Sequence, residues 1–210
     1  KVRLKGDYTD HLLANKWSYR VKINDGKTIN GLNKFSLHSP RTRNYLYEWL
    51  FHKLLKLEGL PSLKYEFLSL NVNGDDLGIY AIEQHFDKIL LESNNFKEGP
   101  IVKLSESNLW SRRANTRDGL YPDIGEKMFF QTQPEFFKKK RTLNNTLYLN
   151  QAQDALGLLA GFYEGKLSTS EAFEIKLLAK YFAITDLLNA SHSRIWHNQR
   201  YYFDPILTKL

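Results

Sequence analysis

The run from Tyr65 to Glu83 constrains the fold of this chain more than any other. Tyr65 to Val72 alternates apolar and polar residues, Asn73-Gly74 follows, and Leu77 to Glu83 (LGIYAIE) alternates again. An Asn-Gly pair between two alternating runs is the sequence signal of a tight β-hairpin. Upstream, Val2 to Gly6 reads as a strand entering a Gly-Asp turn. Trp17 to Ile23 (WSYRVKI) places Trp17, Tyr19, Val21 and Ile23 on one face and Arg20 and Lys22 on the other. Gly6 is the only glycine between these two strands, so they carry no GxGxxG phosphate loop. Lys34 to His38 reads as a short third strand.

Pro40 starts a predicted helix that runs to about Glu58 and stops at Gly59 and Pro61. Leu46, Trp49, Leu50, Leu54 and Leu57 form one apolar face, and Phe51 and Leu55 a second. That pattern predicts a helix sandwiched on two sides, with Glu48 as a partly buried carboxylate in need of a cation. After the hairpin, Phe86 to Glu92 reads as a short helix and Ile101 to Leu104 (IVKL) as a strand. Residues 105–146 are the least regular part and read as an insertion with partial helix. Leu149 to Tyr163 is amphipathic and ends at Gly165. Ser168 and Glu171 fit a capping box that opens a long helix through Asn189. The expected organisation is α+β: residues 1–85 as a small β-rich part with one packed helix, and residues 86–210 as a mainly helical part.

The stretch Tyr181–Pro205 (YFAITDLLNASHSRIWHNQRYYFDP) carries the densest chemistry. A helix apolar on most sides feeds a loop holding Ser191, His192, Ser193, Arg194, His197 and Asn198. An aromatic strand, Gln199 to Phe203, then runs to a turn at Asp204-Pro205. Rigid elements flanking a polar loop are how folds position functional groups.

The chain has 210 residues, 42% hydrophobic and 14% aromatic, enough for one large domain or two small lobes with a real core. No apolar run reaches the roughly 18–20 residues of a membrane span. Cysteine is absent, which excludes disulfides and Cys-ligated zinc. The opening KVRLKG reads as a strand, not a signal peptide. The net charge is +7, part of it in the run Lys138–Arg141. That run reads either as a solvated loop or as an attractor of anions. No zinc finger, RNA-binding aromatic signature or repeated basic helix is present, so nucleic acid is a minor option.

Three pieces of the sequence resemble the CotH kinase family, named for a spore-coat protein: VRLKGD followed by KWSYRVKI, LNVNGDDLGIYAIEQHFDK, and FAITDLLNASHSRIWHNQRYYFDP. The resemblance covers nearly the whole chain. It implies an atypical protein-kinase fold with two lobes, using ATP and magnesium to transfer phosphate to serine, or sometimes threonine, of a protein. It also suggests a spore-coat, cell-surface or otherwise extracytoplasmic setting. A catalytically weak relative serving as a structural or surface-interaction protein is the alternative.

Phosphoryl transfer needs a cation on the phosphates, a metal, and a group that orients the hydroxyl. Lys22 is one candidate for the phosphate cation, with a solvent-facing strand lysine as the plain alternative. Lys103 competes for the same role, and Glu48 is the candidate partner for either lysine. Glu83 ends its strand where a kinase hinge begins. Asn198 is the candidate metal ligand, at the end of the polar loop. The general base is open between His192 and Asp186. On helical spacing Asp186 lies beside Ile175, Ala179 and Phe182, where it would not be fully solvated and would bond Arg194 or His192 in a structural role. Kinases also need a metal-binding aspartate on a following strand. Asp204 is a poor candidate for it, and the expectation is an aspartate beyond Leu210.

Overall fold

The computed structural model of the protein describes residues 1–6, 16–115 and 128–210, in two compact units, Lys1–Phe96 and Lys97–Leu210. The first unit extends past the 85/86 division read from the sequence and includes the helix after the hairpin.

In the first unit, Asn73 (φ 57°) and Gly74 (φ 97°) join strands β4 (Tyr65–Val72) and β5 (Asp75–Gln84). Two successive positive φ values are what an Asn-Gly hairpin turn supplies. Strands β1 (Val2–Leu4), β2 (Tyr19–Lys22) and β3 (Lys34–His38) complete a five-stranded antiparallel sheet in the order β1-β2-β3-β5-β4. One face is apolar: Leu32, Phe35, Leu37, Tyr80 and Ile82 form its core, with Tyr19, Val21 and Ile23 packed on it as the alternation requires.

The expected single helix from Pro40 is instead two pieces. A 3-10 turn covers Pro40–Arg43, and helix α1 covers Tyr47–Leu57. Asn44 and Tyr45 both take left-handed backbone (φ 50° and 60°), which ends the first piece. Nor is α1 sandwiched. Phe51, His52 and Leu55 are buried, whereas Leu46, Leu50 and Leu57 are exposed. The face read as primary is therefore the more exposed one, with Trp49 and Leu54 half-buried, and the one read as secondary packs on the sheet, where His52 stacks on Tyr65 at 6.0 Å. Helix α2 (Lys88–Ser93) is capped by the Asp87 carboxylate, which accepts from the Ile89 N–H.

In the second unit, β6 (Ile101–Leu104) pairs with β7 (Pro134–Phe136) on one side and β8 (Tyr201–Tyr202) on the other. The predicted strand Gln199–Phe203 keeps only this central pair. Gly99 runs so close beneath that a Cβ there would collide with the Phe203 carbonyl oxygen. Helix α3 (Ser107–Asn115) opens the irregular segment; residues 116–127 of it lie outside the described residues. Helix α4 covers Lys139–Leu143 and α5 covers Thr146–Tyr163. Val102, Leu109, Leu159, Phe173, Trp196 and Phe203 are among the core residues of this unit.

The capping box at Ser168 and Glu171 is present, but the helix it opens, α6, spans only Thr169–Ala172. Phe173 is extended and Glu174 caps a new helix, α7 (Ile175–Leu187). The long helix expected here is broken because the backbone is diverted. The Glu174 N–H donates to the Leu210 carbonyl, and the Leu210 N–H donates to that of Ala172. Phe173 then drops into the core against Phe162 and Tyr201. Helix α7 is less buried than its composition suggests: only Ile184 and Thr185 are fully covered.

Candidate functional site

The polar face of the first unit's sheet holds a buried cluster of ionisable groups. Lys5, just past β1, places its ammonium 2.5 Å from Glu83 Oε2 on β5. Both side chains are largely buried, at 12% and 21% exposed. Strands β2 and β3 lie between them, and the side chains nearest that crossing, Ser18 just before β2 and Ser36 on β3, are small and buried. Small side chains there leave room for Lys5 to cross the sheet. His38 Nδ1 lies 3.5 Å from the same Glu83 oxygen, and its Nε2 is 3.0 Å from the Tyr65 hydroxyl. On α1, His52 Nδ1 accepts from the Leu63 N–H at 3.3 Å, so its neutral form carries the proton on Nε2, 3.4 Å from Glu48. Arg43 approaches the other Glu48 oxygen at 4.0 Å.

These environments set the charges. Burial presses the Glu83 carboxyl upward, but the Lys5 ammonium and His38 outweigh it and hold it at about 2. Burial drives His38 down to about 4, against the pull of Glu83, so near neutrality it is an uncharged imidazole. Tyr65 is pushed up by burial and by the Glu48 and Glu83 charges, so its hydroxyl keeps its proton beside His38 Nε2. Glu48 is pressed up by burial, but His52 and Arg43 give a net downward direction.

Among the sequence candidates in this unit, Glu83 sits at the centre of the cluster and Glu48 at its α1 end. Lys22 does not join either carboxylate; it stands exposed at the end of β2, facing Lys34 across the strands. Lys5 is the cation that sequence reasoning missed. The signal was available: it shares the alternation of Lys1 and Arg3, yet only it is followed directly by glycine.

In the second unit, Lys103 is not open to a phosphate. It pairs with Glu106 at 2.8 Å and Glu135 at 3.1 Å. Glu106 also accepts from Arg200 at 2.8 Å and from the Trp110 indole at 3.0 Å. Burial would raise its carboxyl, and the Lys103 and Trp110 bonds with the Arg200 charge bring it down instead. Arg200 lies over the Phe137 ring, 5.5 Å from its centroid.

The polar loop folds into a short helix, α8 (Ser191–Arg194), and a 3-10 turn, Trp196–Asn198. Asn198 Nδ2 donates to the His192 carbonyl at 2.9 Å and lies 3.2 Å from His192 Nε2. A carbonyl oxygen only accepts, which fixes the amide orientation and leaves Oδ1 as the outward acceptor. Asp186 bonds Arg194 at 2.6 Å, one of its two anticipated partners, and its side chain is 64% exposed. Asp204 accepts from the Ile206 and Leu207 N–H groups and so organises its turn.

The family profile described as CotH kinase protein matches residues 2–202, nearly the whole chain. The chain belongs to the CotH kinase family. No curated protein gives a match.

A kinase family implies ATP and a metal ion. Among the described residues, no group of three His, Cys, Asp or Glu side chains could hold a metal. Asn198 offers a single neutral oxygen, whereas magnesium favours carboxylates with phosphates and water. The described residues therefore offer no ready-made protein cage for magnesium, an ion that is usually bound by one or two carboxylates together with nucleotide phosphates. No helix among them is long and apolar enough to cross a membrane.

Proposed function

We propose that the protein is an ATP- and magnesium-dependent protein kinase that transfers phosphate to serine or threonine of a protein substrate. The observation that carries this reading is the buried Lys5–Glu83 pair on a five-stranded sheet ordered β1-β2-β3-β5-β4, with α1 inserted between β3 and β4. Kinases fix the cation that meets the nucleotide phosphates by pairing a small-lobe lysine with a glutamate on the packed helix; here a glutamate on the sheet, Glu83, holds the lysine instead. In this reading the first unit is the amino-terminal lobe and the second the carboxy-terminal lobe. Lys5 takes the phosphate role considered for Lys22 and Lys103, and Glu83 holds it. His38 and Tyr65 fix Glu83 from the other side, and Glu48 with His52 anchors α1. The backbone after Glu83 receives the adenine.

In the second unit, His192 orients the acceptor hydroxyl and Asn198 holds the loop that presents it. Asp186 acts structurally, through Arg194. Magnesium dependence and a spore-coat or cell-surface setting enter the proposal on family grounds. The lack of a carboxylate bonded to Asn198 among the described residues favours the second reading, a weak or inactive relative with a structural role.

Labelled ATP with magnesium and a protein acceptor, followed by phosphosite mapping, decides between them. Transfer by the wild type that is lost per folded molecule in Lys5→Met supports the kinase. A folded protein whose melting temperature is unmoved by millimolar ATP has no nucleotide site, since saturating ligand stabilises by several kcal/mol, about 2.7 at 100 times Kd.

A further inference from the structure

The sheet face that carries Lys5 and Glu83 also carries four cations that this site leaves over. Arg3 lies directly opposite Arg20, and Lys22 directly opposite Lys34. Residues two apart on a strand share a face, so Arg3, Arg20, Lys22 and Lys34 form one patch across β1, β2 and β3. Like charges placed opposite each other on neighbouring strands destabilise a sheet. Among the described residues, none of the four has an ion pair or a side-chain hydrogen bond. The carboxylate in the same cross-strand row, Glu83, is held by Lys5. Asp87 is the acid that acts on Lys34, and it is committed to capping α2. Arg20 Nε is buried without a hydrogen-bond partner among the described residues. Burial and the Arg20, Lys22 and Arg3 charges lower Lys34, as expected for an uncompensated patch. β1 is the edge strand of the sheet and is exposed along its length, so an extended segment can lie against it.

We propose that Arg3, Arg20, Lys22 and Lys34 form a docking site, separate from the Lys5–Glu83 cluster, for a protein segment bearing clustered phosphate groups. Guanidinium groups take phosphate oxygens in pairs, and Lys22 and Lys34 supply point charges beside them. The choice of a phosphorylated segment rests on the kinase reading: such an enzyme would hold a substrate through phosphates already placed on it.

The test is fluorescence anisotropy with a short peptide carrying two phosphoserines and with its unphosphorylated twin. Wild-type protein should bind the phosphopeptide and not the twin. Arg20→Gln should weaken binding by about tenfold, the value of one strong charge-assisted contact. Lys22→Gln, at an exposed strand end, should weaken it several-fold and guards against misfolding of the first variant. Both variants should melt at or above the wild-type temperature without ligand, because each relieves like-charge repulsion. Saturating ATP should leave phosphopeptide binding unchanged. Equal binding of the two peptides, indifference to both substitutions, displacement by ATP, or tighter binding of inorganic tripolyphosphate would each overturn the proposal. Peptide binding without phosphate transfer would sink the kinase reading alone, and transfer without peptide binding would sink only the docking site.

Discussion

His38 Nδ1 lies 3.5 Å from the same Glu83 oxygen that Lys5 holds at 2.5 Å. One carboxylate oxygen thus faces a permanent cation and a latent one. Near neutrality His38 is uncharged, because burial holds it at about 4, and Lys5 alone balances Glu83. Acid changes that balance in two stages.

The pH dependence of stability follows from the directions of these shifts. His38 is depressed from about 6.5 unfolded to about 4 folded, so the stability it contributes is complete above about 6.5 and is lost as pH falls toward 4. Glu83 is depressed to about 2, so its contribution is complete above about 4.5 and is lost as pH falls toward 2. Each corresponds to about 3 kcal/mol, and the two are not additive because they act on each other. Urea midpoints measured between pH 3 and 7 should fall through the upper window in wild type. In His38→Gln the fall should begin only below about 4.5. Superimposable profiles would show that His38 is not the titrating group.

The Lys5–Glu83 pair makes a second prediction. Removing one partner of a buried pair leaves an uncompensated charge, at a cost of about 3–5 kcal/mol. Lys5→Met should therefore destabilise strongly. The double variant Lys5→Met/Glu83→Gln should recover much of the loss, because no buried charge remains. A double-mutant cycle by denaturant unfolding measures the coupling. Additive single effects would mean that the two residues do not share a buried interaction.

The hairpin and the strands were legible because alternation and Asn-Gly chemistry are local. The helices were less so, and for identifiable reasons. Helix α1 has apolar residues on two faces, and periodicity alone does not say which meets the sheet; the buried one carries His52, whose ring needs Tyr65 beside it. The break after Ala172 depends on backbone bonds to Leu210, far along the chain. Glu83 and Asn198 stood out as residues at element ends. Lys5 did not, because its partner lies three strands away in the sheet.

Glu106 anchors the second unit in the way Glu83 anchors the first. It is 16% exposed and accepts from Lys103, Arg200 and Trp110. Glu106→Ala would leave two cations and an indole N–H short of a partner and should cost about 3 kcal/mol or more. Lys103→Met removes one of several partners and should cost less. If Lys103 is structural, Lys103→Met should leave ATP affinity within about twofold of wild type, a change below about 0.4 kcal/mol. A large loss of ATP affinity in a protein of normal stability would return Lys103 to the nucleotide site.

Asn198, His192 and Asp186 separate positioning from structure in the second unit. Asn198 is exposed and bonds both the carbonyl and the ring of His192, so Asn198→Ala removes both bonds without opening a core cavity. Its stability cost should stay within about 1 kcal/mol, while phosphate transfer should fall by about tenfold or more as His192 loses its fixed orientation. Holding Nε2 as the acceptor leaves the proton on Nδ1, and that tautomer is lost with the amide. His192→Gln should lower transfer at least as much, and the double variant should be no worse than the worse single one, because the two act through one interaction. Asp186→Asn tests the opposite role. Its ion pair with Arg194 is exposed, and such pairs contribute about 0–1 kcal/mol, so stability should change little. Transfer per folded molecule should stay within about threefold of wild type if Asp186 only steadies Arg194. A loss of several orders of magnitude, with an unchanged melting temperature, would make Asp186 the base and return His192 to a loop residue.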